Sequence, residues 1–75
     1  MSNFYEIPSE QVRVATVSTT QYIGKAASGV AQTEPRWSII EIVTDASSAP
    51  VSVKFAGGND TRNKVWTDRT TLTYL

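Results

Sequence analysis

The fold of this chain is decided by Arg36-Trp37-Ser38-Ile39-Ile40-Glu41-Ile42-Val43-Thr44. Bulky aromatic and β-branched side chains, which favour strands, dominate this stretch. Side chains in a strand alternate between two faces, and the alternation places Trp37, Ile39 and Val43 on one face. Ile40 and Ile42 then lie on the other face. Because both faces carry apolar bulk, we expect a central strand that is buried on two sides.

The residues after this strand predict its hairpin partner. Residues 45–50 combine Asp, Ser, Ala and Pro, which are residues that favour turns. In residues 51–55 apolar and polar side chains alternate, so Val51, Val53 and Phe55 are expected to face inwards. Two strands joined by about six residues form an antiparallel hairpin.

The C-terminal third predicts a turn, a short helical turn and a last strand. Residues 57–60 are Gly-Gly-Asn-Asp, all of which tolerate tight turns. Asp60 or Asn63 is expected to cap a short helical turn that carries Trp66. Residues 70–75 return to a strand-like composition.

The N-terminal half predicts one long strand and one short one. Residues 12–20 are rich in β-branched side chains, and their imperfect alternation indicates a bulge near Ala15 or burial on both faces. The next strand is expected to end at Gly24. Residues 25–33 are small and weakly patterned, which predicts a surface loop with room for at most a one-turn helix.

Together these elements predict a mainly β fold. We expect a single small antiparallel sandwich or partly open barrel of four to five short strands, with at most one short helical turn. Residues 12–75 form the single domain, and residues 1–11 form an N-terminal arm or extension. A chain of 75 residues buries only about 60% of its unfolded surface, which favours oligomerisation as a further source of stability.

The N-terminal arm carries three large apolar side chains, Phe4, Tyr5 and Ile7, in its first seven residues. Two interpretations stay open. The arm is a frayed terminus, or its apolar side chains dock on a neighbouring subunit. Phe4, Tyr5 and Ile7 are therefore the candidate partner contacts.

Composition excludes several classes of protein. The chain has no Cys and no His, which removes disulfides, the usual nucleophile–base pairs and ordinary zinc ligation. Seven basic residues balance seven acidic ones, so we expect neither direct nucleic-acid contact nor an anionic membrane surface. No apolar run is long enough to cross a membrane, and the N-terminus does not resemble a signal peptide.

The remaining candidate chemistry is weak. Lys25 and Ser28 form a formal Ser–Lys pair, but nothing near them indicates a buried amine. Residues 57–60 lack the ligand spacing of a calcium loop and the Lys-Ser/Thr of a phosphate loop. Trp37 and Trp66 could stack on a sugar or a base, although core packing is favoured for both. We expect no catalytic, cofactor-binding or metal-binding residue, and no enzyme activity.

A spaced set of residues supplies a family resemblance. The set is Tyr22-Ile23-Gly24-Lys25-Ala26, Trp37-x-Ile39-x-x-Ile42, Phe55-Ala56-Gly57-Gly58-Asn59 and Trp66-x-Asp68-Arg69 with Leu72-Thr73-Tyr74. Over about residues 22–74 it resembles a group of short proteins of tailed bacteriophages. The resemblance implies a virion-associated structural protein or an uncharacterised phage protein.

The leading hypothesis is therefore a virion structural protein that acts by docking on other phage structural proteins. It would decorate the capsid or sit at the head–tail region or tail, in repeated copies or as a homo-oligomer. The protein would be made in the host cytoplasm and not secreted by a signal peptide. One alternative is a binding module of a tail tip or fibre that contacts host glycan. Another is a non-virion phage protein that binds a host factor.

Overall fold

The computed structural model describes residues 10–75, which form one antiparallel sheet. The strands are β1 (Glu10–Val17), β2 (Thr20–Ala27), β3 (Pro35–Thr44), β4 (Pro50–Phe55) and β5 (Lys64–Val65). A single turn of 3-10 helix, Trp66–Asp68, follows β5. The predicted fold class is confirmed: the chain is mainly β, with four to five antiparallel strands and one short helical turn.

The sheet is a meander in the order β1-β2-β3-β4, and β5 pairs with the first residues of β3. β4 pairs with the second half of β3, between Ile40 and Thr44. β3 is therefore the central strand, as its sequence predicted. Within residues 10–75, β1 pairs only with β2 and β4 only with β3, so the sheet has two open edges.

The first hairpin differs from the predicted single strand over residues 12–20. The chain turns at Ser18 and Thr19, and β1 and β2 then pair without a break in register. No bulge occurs at Ala15, which simply lies on the opposite face from Val12 and Val14. Ser18 adopts a φ of 56° at the first position of the turn. A Ser-Thr pair lacks the Gly or Asn that usually marks such turns, which is why the sequence did not reveal it.

β2 also runs further than predicted. It passes Gly24 and ends at Ala27, so residues 25–27 are strand and neither loop nor helix. The small side chain of Ala26 is fully buried against the core, so the run of small residues reflects close packing. The loop that joins β2 to β3 is confined to residues 28–34.

The C-terminal region keeps its predicted turn but not its predicted last strand. Gly57 and Gly58 have φ values of 72° and 81°, which confirms the tight turn. No side chain caps the 3-10 turn, so the expected caps at Asp60 and Asn63 are wrong. Residues 70–75 form no strand, and their only ladder contact is the bridge between Ala56 and Tyr74.

The core lies on one face of the sheet, called here the covered face. Trp37 and Ile39 of β3 are fully buried on this face. Segments outside the four long strands provide the second layer, through Val30 from the β2–β3 loop and Trp66 from the 3-10 turn. Leu72 and Tyr74 pack against the same cluster, but the opposite face receives no comparable layer from residues 10–75.

Candidate docking surface

The second face of the sheet is also apolar. The strand register aligns Val14 with Ile23, Ile23 with Ile40, and Ile40 with Phe55, so one apolar row crosses all four long strands. Side-chain alternation adds neighbours above and below this row on the same face. We call this surface the open face, and its apolar residues are Val12, Val14, Ile23, Ile40, Ile42, Val51, Val53 and Phe55.

Four valines make the open face accessible. Val12 and Val14 of β1 are 56% and 58% exposed, and Val51 and Val53 of β4 are 61% and 60% exposed. They lie on the two edge strands, while the isoleucines between them on β2 and β3 are half-buried by their neighbours. Isolated surface valines are ordinary, but a contiguous apolar patch across a sheet is typical of an interaction site.

The exposure of Val51 and Val53 corrects one prediction. Their alternation with Ser52 and Lys54 was identified correctly, but they do not face inwards to the core. The covering segments pack on the other face, because both tryptophans lie there and need the second layer. β4 therefore presents its valines outwards, and only Phe55 of the predicted inward set is half-buried.

The outer edge of β4 is defined by its backbone hydrogen bonds. The carbonyl oxygen of Phe55 accepts from the amide nitrogen of Leu75 at 3.1 Å, outside the sheet. The amide nitrogen of Ala56 donates to the carbonyl oxygen of Ile39 at 2.9 Å, towards β3. Backbone groups alternate along an antiparallel strand, so the N–H and C=O of Val53 point outwards like those of Phe55. The β3–β4 register shifts between Val43 and Thr44, so this alternation does not carry on to Val51.

Val53 therefore offers two kinds of contact at once. Its side chain is exposed beside that of Val51, and its backbone groups lie on an edge with no partner strand in residues 10–75. Lys54 is exposed on the opposite side of the same strand, in register with Glu41 of β3. This combination is what an added extended peptide uses: main-chain hydrogen bonds for affinity and side chains for specificity.

The two tryptophans do not form a ligand platform. Trp37 and Trp66 are 0% and 3% exposed, and their ring centroids lie 5.8 Å apart in the core. The indole nitrogen of Trp37 donates to the carbonyl of Ala31 at 3.0 Å. The guanidinium of Arg69 lies 4.8 Å from the Trp66 ring centroid and covers its outer side. The prediction of core packing for both tryptophans is confirmed.

Other candidate chemistry finds no support in the geometry. Lys25 and Ser28 are both exposed, and nothing desolvates the amine. In the glycine turn, the Asn59 side-chain oxygen accepts from the amide of Thr61 at 3.0 Å, so it serves the turn itself. The described residues contain no group of acidic side chains placed to share a metal ion, and they enclose no pocket.

The most perturbed titratable group is Tyr74. Burial raises the pKa of its phenol well above the usual tyrosine value, and the neighbouring Tyr22 and Glu41 raise it further. Its hydroxyl donates to the carbonyl of Arg69 at 2.7 Å, and its ring lies 5.8 Å from that of Tyr22. These contacts tie the C-terminal segment to the covered face, which is a structural role.

The predicted partner contacts Phe4, Tyr5 and Ile7 lie outside the described residues. Residues 10–11, which the predicted arm included, belong to β1. The surface that sequence reasoning missed is the open face. The signal was present in the valine alternation of β1 and β4, but alternation does not say which face of a sheet is covered.

No α-helix occurs in residues 10–75, and therefore none that could span a membrane. Comparison of the chain with protein-family models, with curated proteins and with solved structures found no match.

Proposed function

We propose that this protein is a structural subunit of a tailed-bacteriophage particle and acts by docking on other proteins of that particle. It decorates the capsid or sits at the head–tail region or the tail. The observation that carries the proposal is the open face: an apolar row across four strands with four well-exposed valines at its sides.

The chemistry of the open face favours a protein partner. Complete burial of a fully exposed valine contributes about 1.5 kcal/mol or more. Each of these valines still exposes more than half of its surface, so several of them together support a stable interface. The apolar row from Val14 to Phe55 offers no hydrogen bonds for sugar hydroxyls, and the one exposed lysine of this face, Lys25, lies to one side of the row beside Val12. The net charge of zero is also consistent with a protein that meets other proteins and not packaged DNA.

The phage context rests on the residue pattern that runs from Tyr22 to Tyr74. The structure gives several of these residues structural reasons to be where they are: Gly24 lies against Trp66, and Gly57 turns the chain after β4. The pattern thus supports a shared scaffold, while the docking contacts lie on the open face and the strand edges.

Mass spectrometry of particles purified from the encoding phage tests the proposal. The chain should be present in repeated copies relative to a protein of known copy number. Its absence from particles, with detection only in infected lysate, would favour the non-virion alternative and overturn the proposal.

A matched pair of variants tests the open face itself. Val14→Ser and Arg13→Ser shorten neighbouring, exposed side chains on opposite faces of β1. Val14→Ser should reduce incorporation into particles, whereas Arg13→Ser should leave it unchanged. Equal incorporation of both variants would contradict docking through this face. The glycan-binding alternative loses its main candidate, because Trp66 is buried and covered by Arg69.

A further inference from the structure

We propose that the outer edge of β4 accepts the N-terminal segment, residues 1–9, of a second copy of this chain as an added strand. The inference deepens the docking function proposed above and rests on it. It names the acceptor, the β4 edge at Val53 with the exposed side chain of Val51 beside it, and the donor, the segment that contains Phe4, Tyr5 and Ile7.

One end of the outer β4 edge already forms backbone hydrogen bonds with the C-terminal residues. Leu75 donates to the carbonyl of Phe55, and Gly57 donates to the carbonyl of Thr73 at 2.8 Å, so the C-terminal residues extend the sheet beside the end of β4. Within residues 10–75 this extension reaches Phe55. Val53 continues the same edge with outward backbone groups, which an extended segment can pair with next.

Side-chain chemistry matches the donor to this edge. In an extended segment Tyr5 and Ile7 lie on one side and Glu6 on the other. If Tyr5 and Ile7 join the open face beside the exposed valines of β4, Glu6 falls on the side that carries Lys54. Apolar side chains then meet apolar ones, and a carboxylate meets an exposed ammonium group, whichever direction the added strand runs.

The same lysine disfavours the competing occupant, a second β4. Antiparallel pairing of two β4 edges would bring Lys54 of both copies onto one face of the joined sheet. Like charges on neighbouring strands repel, and an edge lysine is a common device against such self-pairing. An acidic, aromatic segment fits this edge better than a copy of the edge itself.

Residues 5–7 of a chain are too close to Glu10 to reach the β4 edge of the same chain. Ile7 and Glu10 are three residues apart, so their Cα atoms can be separated by at most about 11 Å. A strand added outside β4 lies four strand spacings from β1, which is about 19 Å. The Tyr5–Ile7 portion of a chain therefore cannot reach its own β4 edge, and the donor must be another copy.

The segment is also poorly suited to fold back on its own β1. A tight hairpin from Ile7 to Glu10 would place Pro8 at the first turn position. The favoured hairpin turns need a positive φ there, whereas proline is fixed near −65°. The residue before proline also disfavours a helical conformation, which is compatible with an added strand.

Donor and acceptor are different surfaces of one chain, which sets the form of the assembly. A contact between unlike surfaces closes into a ring, of which reciprocal exchange between two copies is the smallest, or continues as an open chain. This is the arrangement that a repeated subunit of a particle needs.

Paramagnetic NMR on mixed chains tests the proposal. Because the chain has no cysteine, Ser2→Cys creates a unique site for a nitroxide spin label. Labelled chains are mixed with isotope-labelled chains that carry no spin label. We expect selective broadening of the amide signals of residues 51–53 in the isotope-labelled chains. Broadening centred on Val12 and Val14 would place the segment on β1 and overturn the β4 assignment.

Two proline variants of the isotope-labelled chain serve as a matched pair. Val53→Pro removes an outward N–H without removing a hydrogen bond to β3, and prolines are tolerated at sheet edges. Val12→Pro does the same on the β1 edge. Val53→Pro should abolish the broadening and Val12→Pro should not, with tryptophan fluorescence as the check that both are folded.

Sedimentation of the full chain supplies a readout that does not depend on β4 variants. The wild-type chain should form dimers or larger oligomers at NMR concentrations, and the Tyr5→Ser/Ile7→Ser double variant should be monomeric. Oligomers that survive the double variant, or a wild-type chain that stays monomeric, would overturn the inference. If the sedimentation result contradicts strand exchange but the chain is found in purified particles, only the further inference is wrong and the proposed function is retained. If strand exchange is observed but the chain is absent from particles, only the proposed function is wrong.

Discussion

Gly24 and Trp66 are in such close contact that no larger residue fits at position 24. A Cβ atom on Gly24 would lie 2.5 Å from Cε3 and 2.6 Å from Cζ3 of the Trp66 ring. Trp37 Cε3 would lie 3.1 Å away on the other side. The glycine thus lets both indole rings lie directly against the backbone of β2, and it is needed for space and not for an unusual φ.

Gly24→Ala should therefore destabilise the fold. Both neighbouring rings are buried, so the added methyl group has to displace packed atoms, at a cost of about 1–3 kcal/mol in the free energy of unfolding. Urea denaturation followed by tryptophan fluorescence measures the change. Lys25→Ala, the exposed neighbour in the same strand, is the control and should change stability by less than about 0.5 kcal/mol. A Gly24→Ala chain as stable as the wild type would contradict the contact.

Arg69→Ala should lower stability through loss of the guanidinium that covers Trp66. A cation over an indole ring at this distance contributes about 0.5–1 kcal/mol, and the substitution also exposes the ring. We expect a loss of about 1 kcal/mol and a red shift of the tryptophan emission. Arg36→Ala is the matched control, because its ion pair with Glu34 is exposed at 3.6 Å and should contribute almost nothing. Equal effects of the two substitutions would be evidence against the stacking.

Tyr74 predicts a specific loss of stability in alkali. Its folded pKa is raised, mainly by burial, so the unfolded chain releases the phenol proton first as pH rises. The stabilisation is fully present below the unfolded pKa near 10 and is lost as pH rises from there towards the higher folded pKa. The unfolding free energy of the wild type should therefore fall as pH increases above about 10.

Tyr74→Phe separates this effect from general alkaline unfolding. The variant should lose about 1 kcal/mol at neutral pH, because the hydrogen bond to the Arg69 carbonyl is removed. Above about pH 10 its unfolding free energy should decline less steeply than that of the wild type. Parallel declines in the two proteins would show that Tyr74 is not the group responsible.

Ser18→Gly should stabilise the first hairpin. Ser18 has a φ of 56°, a left-handed conformation that costs an L-residue about 1–2 kcal/mol and glycine almost nothing. Part of the gain is offset by the greater freedom of glycine in the unfolded chain, so we expect a net increase of about 0.5–1 kcal/mol. Thr19→Gly, at the second turn position, should instead reduce stability. Thermal unfolding of the two variants decides between these directions.

Several elements follow from local sequence because their side-chain chemistry is unambiguous. The alternation in residues 36–44 predicted a central strand, and the register confirms its two faces. The expected burial on both sides is wrong, because Ile40 and Ile42 are only half-buried. The glycine pair at 57–58 predicted a turn, and both residues have positive φ. The Ser-Thr turn and the last residues of β2 escaped prediction, since neither carries a residue type that marks a turn or a strand end.

The sequence by itself determined the strand content, the central position of β3 and the burial of Trp37. Those properties depend on periodicity and side-chain size, which are local. Only the tertiary structure decided which face of the sheet is covered. Val51 and Val53 alternate as inward residues do, but the segments that carry Val30, Trp66 and Tyr74 pack on the opposite side. That choice depends on contacts between residues far apart in the chain, and it leaves the valines exposed on the edge where we place the partner.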